Sequence, residues 1–232
     1  RKVYMTKKII AVDLDGTLLN NESKLSDFTK ETIKKISEKG HHVIITTGRP
    51  YRMAKDFYRE LELHTPMINF NGSLTHLPGQ AWAHEKCLTL DKKYLLDMVK
   101  RTEDIQADFI AGEYRKKFYI TTPNEEIADP KLFGVENFRP ENQFKPERVT
   151  KDPNCILLQT RAEDKYALAD EMNRFYQHQL AINTWGGPLN ILECTPKGVN
   201  KAFALEYLLN VMNRDKKDLI AFGDEHNDTE ML

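Results

Sequence analysis

The feature that most constrains this chain is a repeated one: short apolar runs halt at acidic or small residues, and a helical pattern separates each run from the next. Residues 8–12 form the first run and stop at Asp13-Leu14-Asp15-Gly16. An amphipathic helix with Ile33 and Ile36 turned inward is expected over about 26–39, and Gly40 gives it a stop. Residues 43–46 read as a second buried strand. Pro50 opens a helix carrying Met53, Phe57 and Leu61, and residues 67–70 read as a third strand. Strands alternating with helices predict a parallel sheet with right-handed crossovers, whose ligand crevice lies beyond the carboxyl ends of the strands. Asp13 and Thr47 both fall at such ends.

The pattern changes after Asn71-Gly72. Hairpin-like runs at 73–77 and 82–88, a helix from Asp91, strands near Phe109, Phe118 and Ile156, a helix over 163–176 and paired strands near Leu180 and Leu189 predict an α+β segment with its own core. The stretch 122–153, rich in Pro, Asn and charge, reads as loops and short elements. The α/β pattern returns with a helix over 199–212 and the apolar run 218–222, which halts at Gly223-Asp224. The expected domains are therefore a discontinuous α/β core, 1–80 with 190–232, and an inserted segment, 81–189. The chain stops at Leu232 partway into a helical pattern, which predicts further C-terminal structure.

Composition narrows the functional class. Thirty-four basic and 35 acidic residues among 232 leave a net charge of -1, without the basic excess of chains that bind nucleic acid or anionic membranes. No apolar run approaches the ~20 residues that a membrane-spanning helix needs, and the start at Arg1-Lys2-Val3-Tyr4 lacks a signal-peptide core. The expectation is a cytoplasmic protein acting on a small molecule, as monomer or homodimer, without nucleic acid or membrane partners. Cys87, Cys155 and Cys194 are scattered and read as reduced thiols.

Asp13 and Asp15 are costly to cluster unless a cation neutralises them, although an Asx-type turn capping the strand is the plainer alternative. A second acidic cluster, Gly223-Asp224-Glu225-His226-Asn227-Asp228, also follows an apolar strand and would converge on the same sheet edge. Two converging carboxylate clusters favour a hard-cation site with oxygen ligands, hence Mg²⁺ over zinc or copper. A phosphoryl group is the natural electrophile for such a site. Thr47-Gly48 offers a hydroxyl and accessible amides, and Lys201 a fixed charge at a helix start. In isolation Thr47 reads as a helix cap and Lys201 as a solvated surface cation.

Taken together, these segments resemble the haloacid dehalogenase superfamily, specifically its Cof-type phosphatases. Asp13-Leu14-Asp15-Gly16-Thr17-Leu18-Leu19 resembles the family's first motif, Thr46-Thr47-Gly48-Arg49-Pro50 the second, Gly198-Val199-Asn200-Lys201 the lysine motif, with Asn200 in place of the usual serine, and 223–228 the acidic fourth. The resemblance implies a Rossmann-like parallel-sheet core with an inserted α+β cap of the family's second type, matching 81–189, which closes over the crevice and supplies substrate contacts. It further implies a Mg²⁺-dependent phosphatase acting on a small phosphorylated metabolite: a sugar phosphate, flavin mononucleotide or pyridoxal phosphate. Asp13 is then the nucleophile and Asp15 the general acid, with Thr47 and Lys201 holding the transferring phosphoryl oxygens. Asp13, Asp15 through its carbonyl, and Asp224 become metal ligands, and Asp228 either joins them or supports the metal's waters or Lys201. Leu14, Gly16, Thr47, Gly48, Arg49, Asn71, Lys201 and Asn227 are the substrate-binding positions.

Several residues carry two readings at this stage. Arg49 could bind a second anionic group or bridge to the cap. Asn71 could touch substrate or only form a tight turn. Trp185-Gly186-Gly187-Pro188 could be a cap loop facing the site or a hairpin with a partly buried Trp. His226 could contact substrate, and Lys197 reads as a solvated decoy for Lys201. A phosphotransferase or phosphomutase sharing the same aspartyl phosphate, and a non-catalytic sensor of phosphorylated ligands, are the competing functions.

Overall fold

The computed structural model describes residues 7–232, so the expectation made for Arg1 to Tyr4 lies outside the described residues. Two compact units divide the chain, one of residues up to Cys87 together with Val199–Leu232, the other Leu88–Gly198. In chain order the first unit contributes β1 (Ile9–Val12), α1 (Asp27–Glu38), β2 (His42–Ile45), α2 (Tyr51–Glu60), β3 (Met67–Asn69), β4 (Leu74–His76) and β5 (Lys86–Cys87). The second unit holds α3 (Lys92–Lys100), β6 (Ala107–Tyr114), β7 (Lys117–Ile120), β8 (Cys155–Thr160), α4 (Lys165–Phe175), β9 (Leu180–Thr184) and β10 (Ile191–Pro196). The last elements of the first unit are α5 (Lys201–Val211) and β11 (Leu219–Phe222).

In the first unit β1 lies between β11 and β2, parallel to both. Val12 is level with Phe222 on one side and Ile45 on the other, so the three strands end together and release Asp13, Gly223 and Thr46 at one edge. A parallel bridge from Thr46 to Ile68 extends the sheet to β3, and β4 and β5 continue it antiparallel. Side chains alternate between faces, as a strand requires. Ile10 and Val12 pack with Ile33, Ala54, Tyr58 and Leu61, whereas Ile9 and Ala11 pack with Ala204, Leu205, Leu208 and Leu209. Burying each such aliphatic side chain stabilises the sheet by roughly 1.5–3 kcal/mol.

All three expected helices of this unit form, α2 with a change of face. Ser26 caps α1 by accepting from the Thr29 N–H at 3.1 Å, and Ile33 is buried with Ile36 packed beside it. In α2 the buried residues are Ala54 and Tyr58 with Leu61 just beyond, while Met53 and Phe57 are only half-buried. The apolar positions alone could not choose between the two rows, because Tyr58 is amphipathic. Its ring enters the core while its hydroxyl donates to the Thr65 carbonyl at 2.7 Å.

The second unit is a five-stranded antiparallel sheet in the order β7-β6-β8-β10-β9. Leu95, Met98, Leu168 and Met172 of α3 and α4 pack with Ile110, Ile156, Leu158 and Leu192 of the sheet. Single turns at Pro130–Phe133, Pro140–Asn142 and Pro146–Arg148 interrupt the long connection between β7 and β8. Phe133 stacks on Phe118 and meets Phe109 and Phe138 edge-on, which anchors that connection.

The unit limits differ from the 80/81 and 189/190 boundaries expected from sequence. Leu74 pairs with Cys87 and Thr75 with Lys86, Trp82 packs against the core cluster that holds Leu205 and Leu208, and the Tyr207 hydroxyl donates to the His84 carbonyl, so 81–87 belongs with the first unit. The strand expected near Leu189 begins at Ile191 and lies between β8 and β9, which places it in the second unit. Cys155 and Cys194 are buried, and Cys87 is partly so. Among the described residues no helix is long and apolar enough to cross a membrane.

Candidate active site

The level strand ends of the first unit carry the candidate residues. Asp13 follows β1 directly, donates its N–H to the Phe222 carbonyl at 3.0 Å and is 4% exposed. Lys201, the first residue of α5 after the Asn200 cap, is 1% exposed and donates from Nζ to Asp13 Oδ1 at 2.8 Å and Asp228 Oδ1 at 2.6 Å. It is therefore not the solvated cation that its sequence context alone allowed. The other Asp228 oxygen accepts the N–H groups of Asp224 and Glu225 at 3.1 and 3.2 Å, tying the turn after β11 to the lysine. Gly223 is required there, since an added Cβ would collide with the Asp228 side chain.

Asp224 is exposed, and the Thr17 hydroxyl donates to its Oδ1 at 2.8 Å. Gly16 sits at φ 72°, and a Cβ on it would overlap the Asp224 carboxylate. A glycine is thus what lets the first acidic turn approach the second. Asp13, Asp224 and Asp228 each present an oxygen within 4.8 Å of the others. Three carboxylates against one ammonium leave negative charge uncompensated. Burial pushes the Asp13 carboxyl up to about 6; Lys201 pulls it down and the Asp228 charge adds to the rise.

Thr47 is fully buried, and its hydroxyl accepts the Arg49 N–H at 3.1 Å. The helix-cap reading fails, because Pro50 occupies the cap of α2. Asn71, at φ 52°, donates its N–H to the Thr47 carbonyl at 3.1 Å and accepts from Asn227 Nδ2 at 2.9 Å, so two residues singled out separately meet in one hydrogen bond. A Cβ on Gly48 would come within 3.1 Å of the Asn71 amide. Both Nε and Nη2 of Arg49 donate to Asp15, at 2.8 and 2.5 Å, a contact that sequence reasoning did not foresee.

Sequence reasoning missed Asn69. It is fully buried, donates from Nδ2 to the Arg49 carbonyl at 2.9 Å, and its Oδ1 lies 2.7 Å from His76 Nε2. The available signal was a polar side chain inside the apolar run Met67-Ile68-Asn69-Phe70. Lys197 and His226 are exposed. Trp185 sits in a hairpin of the second unit, its indole donating to Glu193 Oε2 at 2.9 Å.

The family model of haloacid dehalogenase-like hydrolases matches residues 10–232. The chain belongs to this family. It is a phosphoric monoester hydrolase of the Cof-type haloacid dehalogenase phosphatases. Over 229 residues this hydrolase is 31% identical to 5-amino-6-(5-phospho-D-ribitylamino)uracil phosphatase YitU of Bacillus subtilis, covering 97% of this chain and 82% of the relative. Phosphatase YcsE of the same organism, named for the same activity, is 27% identical over 225 residues, covering 97% of this chain and 80% of the relative. A haloacid dehalogenase-like hydrolase from Bacteroides thetaiotaomicron shares the fold at a TM-score of 0.83 and 21% identity, covering 97% of this chain and 85% of that one.

Proposed function

We propose that this hydrolase is Mg²⁺-dependent and transfers the phosphoryl group of a small phosphorylated metabolite first to Asp13 and then to water. The observation that carries the reading is the buried Lys201 ammonium shared by Asp13 and Asp228, beside the carboxylate of Asp224. That donor set fits a hard divalent cation, because it is all oxygen and carries the uncompensated negative charge a dication would balance. Asp13 and Asp224 through their carboxylates and Asp15 through its carbonyl would hold the ion. Asp228, expected as a ligand, already accepts three hydrogen bonds, and we assign it chiefly to orienting Lys201 and the turn at Asp224. When bound, Mg²⁺ supplies relief of the repulsion between the Asp13 carboxylate and an anionic phosphate.

In the first half-reaction an Asp13 oxygen attacks phosphorus, the bond from phosphorus to the alcohol oxygen breaks, and Asp15 gives that oxygen its proton. In the second, water passes a proton to Asp15 and attacks the same phosphorus, which frees Asp13 and inorganic phosphate. Lys201 keeps a positive charge against the Asp13 oxygen in both. Thr47, whose accepted bond from Arg49 leaves its hydroxyl hydrogen to donate, is assigned with Gly48, Leu14 and Gly16 to the phosphoryl oxygens. Asn71 and Asn227 complete the rim.

For the substrate we favour a ribityl or sugar phosphate, supported by the activity for which the two Bacillus subtilis relatives are named. Action on a soluble metabolite in the cytoplasm is part of the same proposal. The competing sensor reading is set aside, because the chain belongs to a family of hydrolases. Phosphate release should be measured across 5-amino-6-(5-phospho-D-ribitylamino)uracil, sugar phosphates, flavin mononucleotide and pyridoxal phosphate, with and without Mg²⁺, alongside Asp13→Asn. Metal-dependent release that Asp13→Asn abolishes is the expected result. Phosphate found on a second hydroxyl with none released would instead establish a phosphotransferase.

A further inference from the structure

Arg49 is fixed along its whole length. Its N–H is held by the Thr47 hydroxyl at 3.1 Å, and its carbonyl accepts from Asn69 Nδ2 at 2.9 Å and from the Phe70 N–H at 3.4 Å. Its guanidinium lies 5.6 Å over the Phe57 ring and donates from Nη1 to the Met53 carbonyl at 3.3 Å. The remaining edge makes the two-pronged contact with Asp15. Such a fork specifies direction as well as charge, which a lysine would not do. The Asp15 side chain is 52% exposed, so the pair adds little to folding. Its geometry is nonetheless built from five separate anchors, those to Thr47, Asn69, Phe70, Phe57 and Met53.

We propose that Arg49 is a positioning residue for the proton transfer by Asp15, aiming the carboxyl at the departing alcohol oxygen. The inference rests on the reading that Asp15 supplies that proton. As the phosphorus–oxygen bond breaks and the proton moves to the alcohol, Asp15 is left as a carboxylate, and the guanidinium already faces both of its oxygens. In the second half-reaction the same fork holds that carboxylate ready to receive the proton of water. Arg49 has no role of its own on phosphorus in this scheme, since its fork is engaged by Asp15 and the Met53 carbonyl.

Leaving-group basicity separates this role from substrate binding. An alkyl phosphate needs a proton on its departing oxygen, whereas p-nitrophenolate departs without one. The quantity to compare is kcat/KM, which covers the steps through departure of the alcohol and omits the later attack of water. Using holoenzyme with Mg²⁺, Arg49→Met is expected to lower kcat/KM by about 100-fold for the fastest alkyl phosphate of the panel and to stay within about threefold for p-nitrophenyl phosphate, the size of a general-acid contribution. In an Asp15→Asn background the same substitution should add almost nothing, because the two act through one proton. Arg49→Lys keeps the charge and stem without the fork and should show the same split if Arg49→Met folds poorly.

Equal losses on both substrates, additive with Asp15→Asn, would overturn the proposal and assign Arg49 to phosphate binding. Unchanged kinetics would overturn it as well. If Asp15→Asn itself lowers both substrates alike while Asp13→Asn still abolishes turnover, the acid assignment of Asp15 fails and takes the role of Arg49 with it, leaving the nucleophile in place.

Discussion

Each unit of the molecule buries one lysine at the first position of a helix, directly after an Asx cap, yet the two lysines are answered differently. Lys201 follows Asn200 and meets two carboxylates. Lys165 follows Asp164, is 7% exposed, and donates to the carbonyls of Trp185, Gly187 and Leu189 at 2.8, 3.0 and 2.8 Å. A helix start is the less favourable end for a cation, so both sites must compensate the same cost. Carbonyl dipoles do so without net charge, and the outcome is a pinned hairpin loop. Carboxylates do so with an excess of negative charge, which fits the cation proposed for this site. Burial of a lysine is therefore not by itself a sign of function; the charge of its partners decides.

The comparison predicts unequal consequences of one substitution. Lys201→Met should lower kcat/KM by about 10³-fold, the scale of removing a preorganised charge from a transition state. It should also destabilise the metal-free protein by about 3–5 kcal/mol, because Asp13 and Asp228 lose a buried partner. Lys165→Met should leave turnover within about threefold of wild type, as expected where a residue acts on neither substrate nor transition state. A Lys165→Met enzyme as crippled as Lys201→Met would break the distinction between the two cages.

Added Mg²⁺ sharpens the same contrast. At a hundredfold excess over its dissociation constant it should stabilise wild type by about 2.7 kcal/mol in denaturant titrations, with no gain in an Asp13→Asn, Asp224→Asn double variant. Lys165→Met should retain the whole increment.

A pH series without metal tests the electrostatic side. The Asp13 carboxyl is raised to about 6 in the folded protein from 3.8, so the folded state binds more protons than the unfolded state between those values. Stability should therefore fall as pH rises from about 4 to about 6, by about 2–3 kcal/mol, and level off above. Asp13→Asn should flatten that decline and be the more stable protein at neutral pH, as read from chemical denaturation. A decline of equal depth in Asp13→Asn would place the proton elsewhere.

The smallest expected effect belongs to the other lysine: Lys165→Met should cost about 1–3 kcal/mol of stability for carbonyls left without their donor. Faster amide exchange confined to residues 184–190 is the accompanying signature. Unchanged exchange there would mean the hairpin holds without its lysine.

The strand-and-turn pattern of the first unit was readable because it is local. Ile9–Val12 ends at a paired carboxylate, Leu219–Phe222 at another, and both acidic turns carry the glycine needed for close approach, Gly16 and Gly223. The α+β character of the second unit was readable for the same reason. Its limits were not, because Lys86–Cys87 and Ile191–Pro196 are short strands whose sheet is chosen by pairing, and pairing partners lie far away in sequence. Within the site, Asp13, Asp224 and Lys201 were nameable from motif and position. Asn69 and the Arg49–Asp15 pair were not, since a buried asparagine in a strand and an arginine at a helix start each have several common explanations.

By itself, then, the sequence determined the α/β order, the two acidic strand ends and the family, because periodicity, turn chemistry and motif spacing are properties of neighbouring residues. Only the tertiary structure decided that Lys201 lies among carboxylates while Lys165 lies among carbonyls, and that Arg49 faces Asp15. Those outcomes depend on which groups long-range packing brings within hydrogen-bonding distance, 188 positions apart for Lys201 and Asp13 and 34 for Arg49 and Asp15, and on the low-dielectric burial that makes the sign of each neighbour count.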